Sequence, residues 1–434
     1  MQLESKNIFY GWYVAICCCL VYFFVNSMTL FVPQNLFPTF IEEFSLNREQ
    51  VSLTIRNTLL FAALLSPISG ILIDKYGVTI VMRIGIIIMA LTYSFYPFAT
   101  SIETLYRLHI LMAAGLVMSG LGPNVIVVSS WFKKHRGKVV GMVVASSSLG
   151  GATLPLLISP IVNNPDWGWR WGFGLLAILF WIFAVVPVYK IIRSSPEIMG
   201  LSPDGAQTGV EPFGDVAATT DNKDTTQFKD ALFSRALWCL GIGSACLWFS
   251  IQGLNSQIRI FFELDAGFTA QQSVIMFSII YWFSFIGKFS FGALSDKLPK
   301  RTVLFISSCV LFIGSILLFE ISGNGVVLTE NTMQLSLFTI FFGLGFGGSF
   351  SMIQLVAVET FGKRYLGRVL GIISMVDGLA AAGATQLLAA MADDASGSYL
   401  KAFGLVAIVT LLGIINVFFI KPIEVKSQSI QDLS

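Results

Sequence analysis

Long apolar stretches alternate with short polar segments along most of the chain. The apolar stretches run for about 18 to 25 residues, which is enough for a helix to cross a bilayer core of about 30 Å. We predict twelve such helices. In the first half they lie at 9 to 33, 51 to 73, 80 to 100, 105 to 130, 137 to 161 and 170 to 192, and in the second half at 235 to 262, 270 to 294, 302 to 320, 333 to 358, 367 to 391 and 401 to 420.

The composition also indicates an integral membrane protein. Hydrophobic residues make up 55% of the 434 residues and charged residues only 12%, and the mean hydropathy is +0.76. These values lie outside the usual range of soluble globular domains. We therefore expect an all-α membrane protein, whose first apolar run acts as an uncleaved anchor because it is long enough to span the membrane itself.

The basic residues predict which side of the membrane each connection faces. Twenty of the 27 Lys and Arg residues fall in segments that a twelve-helix topology places on one side, including Lys133, Lys134, Arg136 and Lys138. Lys and Arg concentrate in cytoplasmic loops of membrane proteins. We therefore expect both termini in the cytoplasm and the protein in the plasma (cytoplasmic) membrane.

A polar segment and an internal repeat divide the chain into two halves. Residues 194–234 are rich in Pro, Gly, Asp and Thr and cannot bury a core. GILIDK at 70 to 75 matches GALSDK at 292 to 297, and RGKVVGMV at 136 to 143 matches LGRVLGII at 366 to 373. We predict two pseudo-symmetric six-helix bundles, 1–193 and 235–434, joined by a cytoplasmic linker at 194–234.

One repeated pattern lies where helix 2 turns into helix 3 and where helix 8 turns into helix 9. Its glycines allow another helix to approach, and its Asp can accept hydrogen bonds from that helix's N-terminal amides. We expect the two copies to latch the halves together in one conformation; an ordinary charged loop is the alternative. The latch residues are Gly70, Asp74, Lys75 and Gly77 in the first copy and Gly292, Asp296, Lys297 and Arg301 in the second.

With these motifs the chain resembles the major facilitator superfamily along nearly its whole length. GLGPNVIVVSSWFKKHRGKVVGMVVASSSLGG at 120 to 151 and SSPEIMGLSPDG at 194 to 205 resemble the branch of monocarboxylate porters and oxalate/formate antiporters. The resemblance implies alternating access, in which two halves rock about a site near the bilayer midplane. The chain departs from it at Val78 and Thr79, where a base usually completes the latch, and at Gln34, where proton-linked monocarboxylate porters carry a lysine.

Two opposite charges are predicted at one depth in the membrane. Lys288 lies eight residues before Asp296, or roughly 12 Å along a helix, and Asp377 lies nine residues after Arg368, or about 13 to 14 Å. An unpaired charge at this depth costs on the order of 2.5 to 3.5 kcal/mol. We expect Lys288 to face a central cavity, because snorkelling to the surface would exceed its reach. The resemblance implies that a cation here, usually Arg, binds a substrate carboxylate.

We interpret Lys288 and Asp377 as a switchable pair. Asp377 would neutralise Lys288 in the empty carrier and take a proton when a monocarboxylate occupies the lysine. The resembled oxalate/formate antiporters carry a second cation at the helix 11 position, so an acid there argues against a dicarboxylate. A static ion pair fixing helices 8 and 11 is the alternative.

We therefore expect a secondary transporter of small organic anions, in the form of a proton-coupled carrier of a lactate- or pyruvate-like monocarboxylate. Two other functions stay open, which are antiport of organic anions of the oxalate/formate type and efflux of a cationic or amphiphilic substrate.

Further polar residues in the apolar stretches are candidates for the site. Those that could bind substrate, or merely a neighbouring helix, are Asn26, Asn124, Ser147 and Tyr281. Ser147 is the repeat partner of Asp377, and Tyr281 lies on the helix face of Lys288. Cations that could make an outer vestibule positive, or snorkel to the headgroups, are Arg56, Arg107 and Arg259.

The sequence does not favour an enzyme, a channel or a metalloprotein. Its 6 cysteines lie in apolar helices without metal-ligand spacing, and its 2 histidines are isolated. No nucleophile with a base and no filter-like pattern is visible. We expect no metal, no cofactor and no nucleic-acid partner, and a monomer that interacts with organic anions, protons and the lipid bilayer.

Overall fold

Helices form most of the chain that the computed structural model describes, which comprises residues 9–205, 234–322, 325–361, 366–395 and 398–419. The long helices of the first half are α1 Gly11–Asn35, α2 Arg48–Tyr76, α3 Val78–Phe98, α4 Ile102–Trp131, α5 Arg136–Val162 and α6 Gly168–Lys190. Those of the second half are α7 Arg235–Asp265, α8 Ala270–Leu294, α9 Lys300–Ile316, α10 Thr332–Phe361, α11 Leu366–Asp394 and α12 Leu400–Val417.

These helices confirm the predicted all-α membrane protein with a twelve-helix arrangement. Within the described ranges, 11 helices are long and apolar enough to cross a membrane. The other long helix, α9, has 17 residues, which corresponds to about 26 Å and approaches the thickness of a bilayer core. Most of the predicted linker, 206–233, lies outside the described residues, so the domain boundaries stay a prediction.

A short antiparallel hairpin connects α9 to α10. Its strands are β1 Phe319–Ser322 and β2 Gly325–Leu328, with Phe319 opposite Leu328. The hydropathy pattern does not predict this hairpin, because the apolar run of α9 continues to Phe319 without a polar break. The predicted span of 302 to 320 is therefore too long at its end.

Three of the described helices contain a π-helical turn, at Ser27–Phe31 in α1, Trp181–Val185 in α6 and Phe261–Asp265 in α7. A π turn rotates the following side chains relative to a regular α-helix and is frequent at functional sites. The turn in α1 is buried along its whole length. It therefore determines which α1 side chains meet the neighbouring helices.

The two ends of the bundle can be told apart by their connections. We call the end with the α2–α3, α4–α5 and α8–α9 connections the linker face, and the end with the α1–α2, α5–α6 and α7–α8 connections the distal face. Across the two halves, α2 packs against α11 and α5 packs against α8. These two helix pairs carry the side chains that join the halves.

Glycines of α10 bring that helix close to α8. A Cβ added to Gly347 would lie 2.0 Å from the carbonyl oxygen of Ser284, and one added to Gly343 would lie 2.4 Å from the carbonyl oxygen of Ile280. Small residues allow such close helix approach in membranes. The packing fixes the rotation of α8, and with it the direction of Lys288.

Candidate functional site

The ammonium group of Lys288 lies inside the protein at the contact between the halves. The residue is 7% exposed. Its Nζ donates to the carbonyl oxygen of Val144 at 3.0 Å and to Oγ of Ser147 at 3.3 Å, both on α5. It also lies 4.7 Å from the ring centroid of Phe350 on α10, a favourable cation–π distance. No carboxylate of the described residues lies within ion-pair distance of it.

The predicted candidate Ser147 links Lys288 to the first half of the chain. Its hydroxyl donates to the Val144 carbonyl at 3.0 Å. Its own carbonyl accepts from Ser27, in the π turn of α1, at 3.2 Å. Helices α1, α5 and α8 therefore converge at the Lys288 ammonium.

The same face of α8 continues with hydroxyl groups toward the distal face. Ser284, one turn from Lys288, lies 3.1 Å from the hydroxyl of Ser148 on α5. Tyr281, two turns from Lys288, is fully buried and packs its ring 4.2 Å from that of Phe31 on α1. The Tyr281 hydroxyl has no hydrogen-bond partner among the described residues.

Asp377 lies away from Lys288, and the predicted direct pairing of the two is not formed in this conformation. Asp377 is 8% exposed, and its carboxylate accepts from the hydroxyl of Ser244 on α7 at 2.6 Å. Asp377 and its partner Ser244 both belong to the second half of the chain, whereas Lys288 is hydrogen-bonded to α5 of the first half. Equal depth did not imply contact, because residue spacing sets height along a helix but not the direction in which a side chain points.

The two predicted asparagines do not contact the Lys288 ammonium. Asn124 donates to the carbonyl oxygens of Ser119 at 2.8 Å and Gly120 at 2.6 Å, so its amide stabilises the break within α4. Asn26 is partly exposed and makes no side-chain hydrogen bond within the described part of the chain. Of the first-half candidates, Ser147 is the one that reaches Lys288.

Polar bonds join the halves at the distal face. Arg48 of α2 forms an ion pair with Asp265 of α7 at 2.8 Å. The carboxylate of Asp393, at the end of α11, accepts from the backbone amides of Arg48 at 3.3 Å and Glu49 at 2.8 Å. It therefore caps the first turn of α2 from the other half.

A second set of hydrogen bonds lies nearer the linker face than the Arg48–Asp265 pair. Gln257 of α7 donates to Ser52 of α2 at 2.9 Å and accepts from Tyr399 at 2.9 Å. On the other side of the interface, Ser159 of α5 donates to Gln271 of α8 at 2.8 Å. The distal ends of the halves are thus held together.

The open outer vestibule expected from three arginines is not present in this conformation. Arg259 is 4% exposed, pairs with Glu263 and donates to Asn35 of α1 at 3.1 Å, so it lies within the closed distal interface. Arg56 donates to its neighbour Asn57 and lines a groove of about 470 Å³ between α2 and α11. Arg107 is exposed.

The latch residues at the linker face are not packed against a partner helix. A Cβ added at Gly70 or at Gly292 would meet no atom within 4 Å. Asp74 and Asp296 are exposed, and neither accepts a hydrogen bond from another described side chain or helix amide. The predicted latch contact is therefore not made in this conformation.

The remaining latch residues lie in a turn, are exposed, or form hydrogen bonds within their own half of the chain. Gly77 adopts φ +84° at the turn between α2 and α3, a conformation that glycine tolerates best. Lys75 and Lys297 are exposed. Arg301 donates to the carbonyl oxygens of Val417, at 2.9 Å, and Phe418, and so caps the end of α12.

Some groups at the site carry no signal in the sequence. The Val144 acceptor is a backbone carbonyl, and Phe350 is one of 38 phenylalanines. Nothing in the sequence distinguishes Ser244 from the other serines of α7. Among the described residues, no cluster of His, Cys, Asp and Glu side chains could hold a metal ion.

Comparison with known proteins gives the chain a family context. The Major Facilitator Superfamily matches it over residues 19–385. The MFS-type transporter opdF of Penicillium oxalicum is 32% identical over 140 residues, which cover 30% of this chain and 31% of that protein. A probable hexose phosphate transport protein of Chlamydia pneumoniae is 25% identical over 389 residues, covering 84% and 80%.

A third relative extends the range of substrates named in these comparisons. The riboflavin transporter MCH5 of Saccharomyces cerevisiae is 24% identical over 317 residues, which cover 69% of this chain and 57% of that protein. Hexose phosphate and riboflavin are chemically unlike each other. The relatives therefore agree on transport and differ in cargo.

Proposed function

This chain belongs to the major facilitator superfamily, and we propose that it transports a small organic anion across the membrane by alternating access. One observation carries the proposal: the buried Lys288 ammonium has two oxygen acceptors and an aromatic neighbour, with no carboxylate of the described residues paired to it. A buried cation without a counter-charge is costly. A substrate carboxylate supplies that counter-charge.

The contacts at the two faces support a conformation that is closed at the distal face and open toward the linker face. Distal bonds such as Arg48 with Asp265 join the halves, whereas the latch glycines Gly70 and Gly292 have no neighbour. Rocking the halves breaks the first set of contacts and brings the latch copies against their partner helices. The site is then exposed to the other side of the membrane.

Lys288 sits where this motion acts. Its bonds to Val144 and Ser147 cross from one half to the other, so they must change when the halves rock. A carboxylate bound between the Lys288 ammonium and the Ser147 hydroxyl holds both halves to one ligand. This coupling of binding to closure is what a carrier requires.

Within this class, we propose a proton-coupled monocarboxylate carrier of the lactate or pyruvate type. Asp377 is a buried carboxyl that accepts a hydrogen bond from a serine hydroxyl and forms no ion pair among the described residues, so a proton can neutralise it without loss of an ion pair. Binding one proton and one carboxylate leaves the net charge of the cavity unchanged. Coupling then acts through the charge of the cavity and not through a Lys288–Asp377 bond.

We further propose that the linker face is cytoplasmic, that both termini lie there and that the protein works as a monomer in the plasma membrane. Exposed lysines on this face, among them Lys133, Lys134 and Lys297, support this orientation. The six-helix halves would be residues 1–193 and 235–434.

Two other functions remain candidates. Antiport of organic anions uses the same lysine without a proton step. Efflux of an organic cation would use Asp377 instead, and it is favoured by the fact that no cation of the described residues pairs with that carboxylate.

An uptake screen with the purified chain in proteoliposomes tests these functions. Labelled lactate, pyruvate, acetate, formate, oxalate and a set of organic cations are offered with and without an inward proton gradient. We expect accumulation of monocarboxylates that depends on the gradient. Anion exchange without gradient dependence would favour antiport, and accumulation of cations alone would overturn the anion proposal.

A further inference from the structure

Five polar side chains on α1, α7 and α8 are buried and incompletely hydrogen-bonded. Each is at most 2% exposed and has at least one nitrogen or oxygen without a partner among the described residues; they are Gln34 of α1, Gln252 and Asn255 of α7, and Ser278 and Tyr281 of α8. Buried polar atoms are normally paired, so each exception calls for a reason. We call these five residues the amide cluster.

The α7 members face the first half of the chain. Gln252, Asn255 and Arg259 are spaced at i, i+3 and i+7, which places them on one face of the helix. Arg259 donates to Asn35 of α1 at 3.1 Å. Gln252 and Asn255 therefore lie along the face of α7 that meets α1, where Gln34 directly precedes Asn35.

The α8 members extend the Lys288 face. Tyr281, Ser284 and Lys288 are again spaced at i, i+3 and i+7, and Ser278 lies one turn before Tyr281. Tyr281 packs against Phe31 of α1. Residues 31 to 35 of α1 thus contact both α7 and α8, and the amide cluster lies where these three helices meet.

The unpaired atoms comprise both donors and acceptors. Both amide atoms of Gln34 and of Asn255 lack partners, as do the Gln252 nitrogen and the hydroxyls of Ser278 and Tyr281. A hydroxyl group both donates and accepts, so several ligand hydroxyls can satisfy this mixture. An alkyl tail would leave all of these atoms unpaired.

We propose that the amide cluster binds the hydroxyl groups of a substrate whose carboxylate lies at Lys288. The substrate class is then a polyhydroxylated monocarboxylate of the sugar-acid type, a longer anion than lactate or pyruvate. This inference rests on the proposed transport of organic anions and not on its lactate-type form. Tyr281 and Lys288 are seven residues apart, or roughly 10 Å along α8. A linear six-carbon acid and the two side chains can span this distance together.

Ligand binding to the full chain tests the inference. Apparent dissociation constants for gluconate and hexanoate, which have equal carbon number, are measured from the rise of Tm with ligand concentration. We expect gluconate to bind about tenfold more tightly, because its hydroxyls pair with the amide cluster. Equal binding of the two acids, or preference for hexanoate, would overturn the inference.

Two variants locate the preference within the cluster. Asn255→Leu and the conservative Tyr281→Phe should each reduce the gluconate preference while leaving hexanoate binding and the Tm of the free protein equal or higher, because each removes an unpaired buried group. Asn416→Leu, which removes another unpartnered buried amide oxygen far along α12, is the matched control. A lower Tm with an equal loss for both acids would mean that the cluster is structural and would refute the inference.

The failure of this inference can be told from the failure of the proposed function. Lys288→Gln should weaken the binding of gluconate and of hexanoate by the same factor, because both acids carry the carboxylate that Lys288 binds. Unchanged binding of both acids to Lys288→Gln would refute the anion site itself. A strong Lys288 effect without any gluconate preference would refute the amide cluster alone.

Discussion

Nζ of Lys288 on α8 lies 3.0 Å from the carbonyl oxygen of Val144 on α5, so a buried cation of the second half is bonded to the backbone of the first. Alternating access moves these halves against each other. The bond therefore joins the candidate substrate site to the interface that has to move.

The latch glycines should matter for transport and not for this conformation. Gly70 has open space around it, so Gly70→Leu should fold and bind carboxylate normally but block the approach of a partner helix in the other conformation. We expect transport to fall about tenfold with unchanged binding and Tm. Proteoliposome uptake measures transport, and thermal unfolding with and without carboxylate measures binding and Tm.

Gly404→Leu is the control for this change, because Gly404 on α12 also has no neighbour within 4 Å. It should leave transport intact. Normal transport by Gly70→Leu, or an equal loss in both variants, would contradict the latch.

The distal bonds should hold the distal face closed. Asp265→Asn removes the charge that pairs with Arg48 at 2.8 Å, and such a pair contributes up to about 1 kcal/mol, so opening should become roughly threefold to fivefold more frequent. The labelling rate of a cysteine placed at Ser256, which is fully buried, by an impermeant maleimide reports this opening. The 6 native cysteines are first replaced.

Glu359→Gln provides the comparison for the distal bonds. It breaks a pair with Lys300 at 3.5 Å that lies within the second half, near the linker face. Its labelling rate should equal that of the parent. Faster labelling in Glu359→Gln as well, or no increase of the labelling rate in Asp265→Asn, would contradict the role of the distal bonds.

Close packing of α10 on α8 should position Lys288. In Gly347→Ala the new methyl would lie 2.0 Å from the Ser284 carbonyl oxygen, and such overpacking costs about 1 to 3 kcal/mol. We expect a Tm several degrees lower and weaker carboxylate binding. Gly371→Ala, where no atom lies within 4 Å, should keep both values, and an unchanged Tm in Gly347→Ala would show that the helices can separate freely.

Asp377 should be needed for proton-driven uptake and not for exchange. Asp377→Asn keeps the size of the side chain and an oxygen acceptor for Ser244, but it cannot carry a proton. We expect the parent's uptake to rise as external pH falls, and the variant's uptake to be independent of pH while its counterflow persists. Asp166→Asn, at an exposed site in the α5–α6 connection, should behave like the parent, and gradient-driven accumulation by Asp377→Asn would disprove the proton role.

The number and placement of the helices were readable from the sequence because a membrane span needs a long apolar run. The depth of Lys288, predicted from the residue spacing to Asp296, stays a prediction. The contact of Lys288 with Ser147 brings together two of the residues predicted for the site.

Contacts that depend on helix rotation were not readable. Lys288 and Asp377 are expected at similar depth, but the direction of each side chain depends on helix rotation. Close packing of the α10 glycines fixes the rotation of α8, and the π turn of α1 changes which α1 side chains face it. The partner of Lys288 is a backbone carbonyl, which every residue possesses. The closed environment of Arg259 was not readable for a related reason. Its partner Asn35 lies in the other half of the chain, so the residues around Arg259 in the sequence do not indicate the contact.

Counterflow of labelled lactate by Lys288→Gln tests the central claim most directly. The control is Lys401→Gln, which removes an exposed lysine at the start of α12. Truncating the cation that binds a carboxylate should lower the exchange rate at subsaturating lactate by roughly 30-fold or more, while Lys401→Gln keeps the parent rate. A Lys288→Gln protein that folds, with the Tm of the parent, and exchanges lactate at the parent rate would contradict the account.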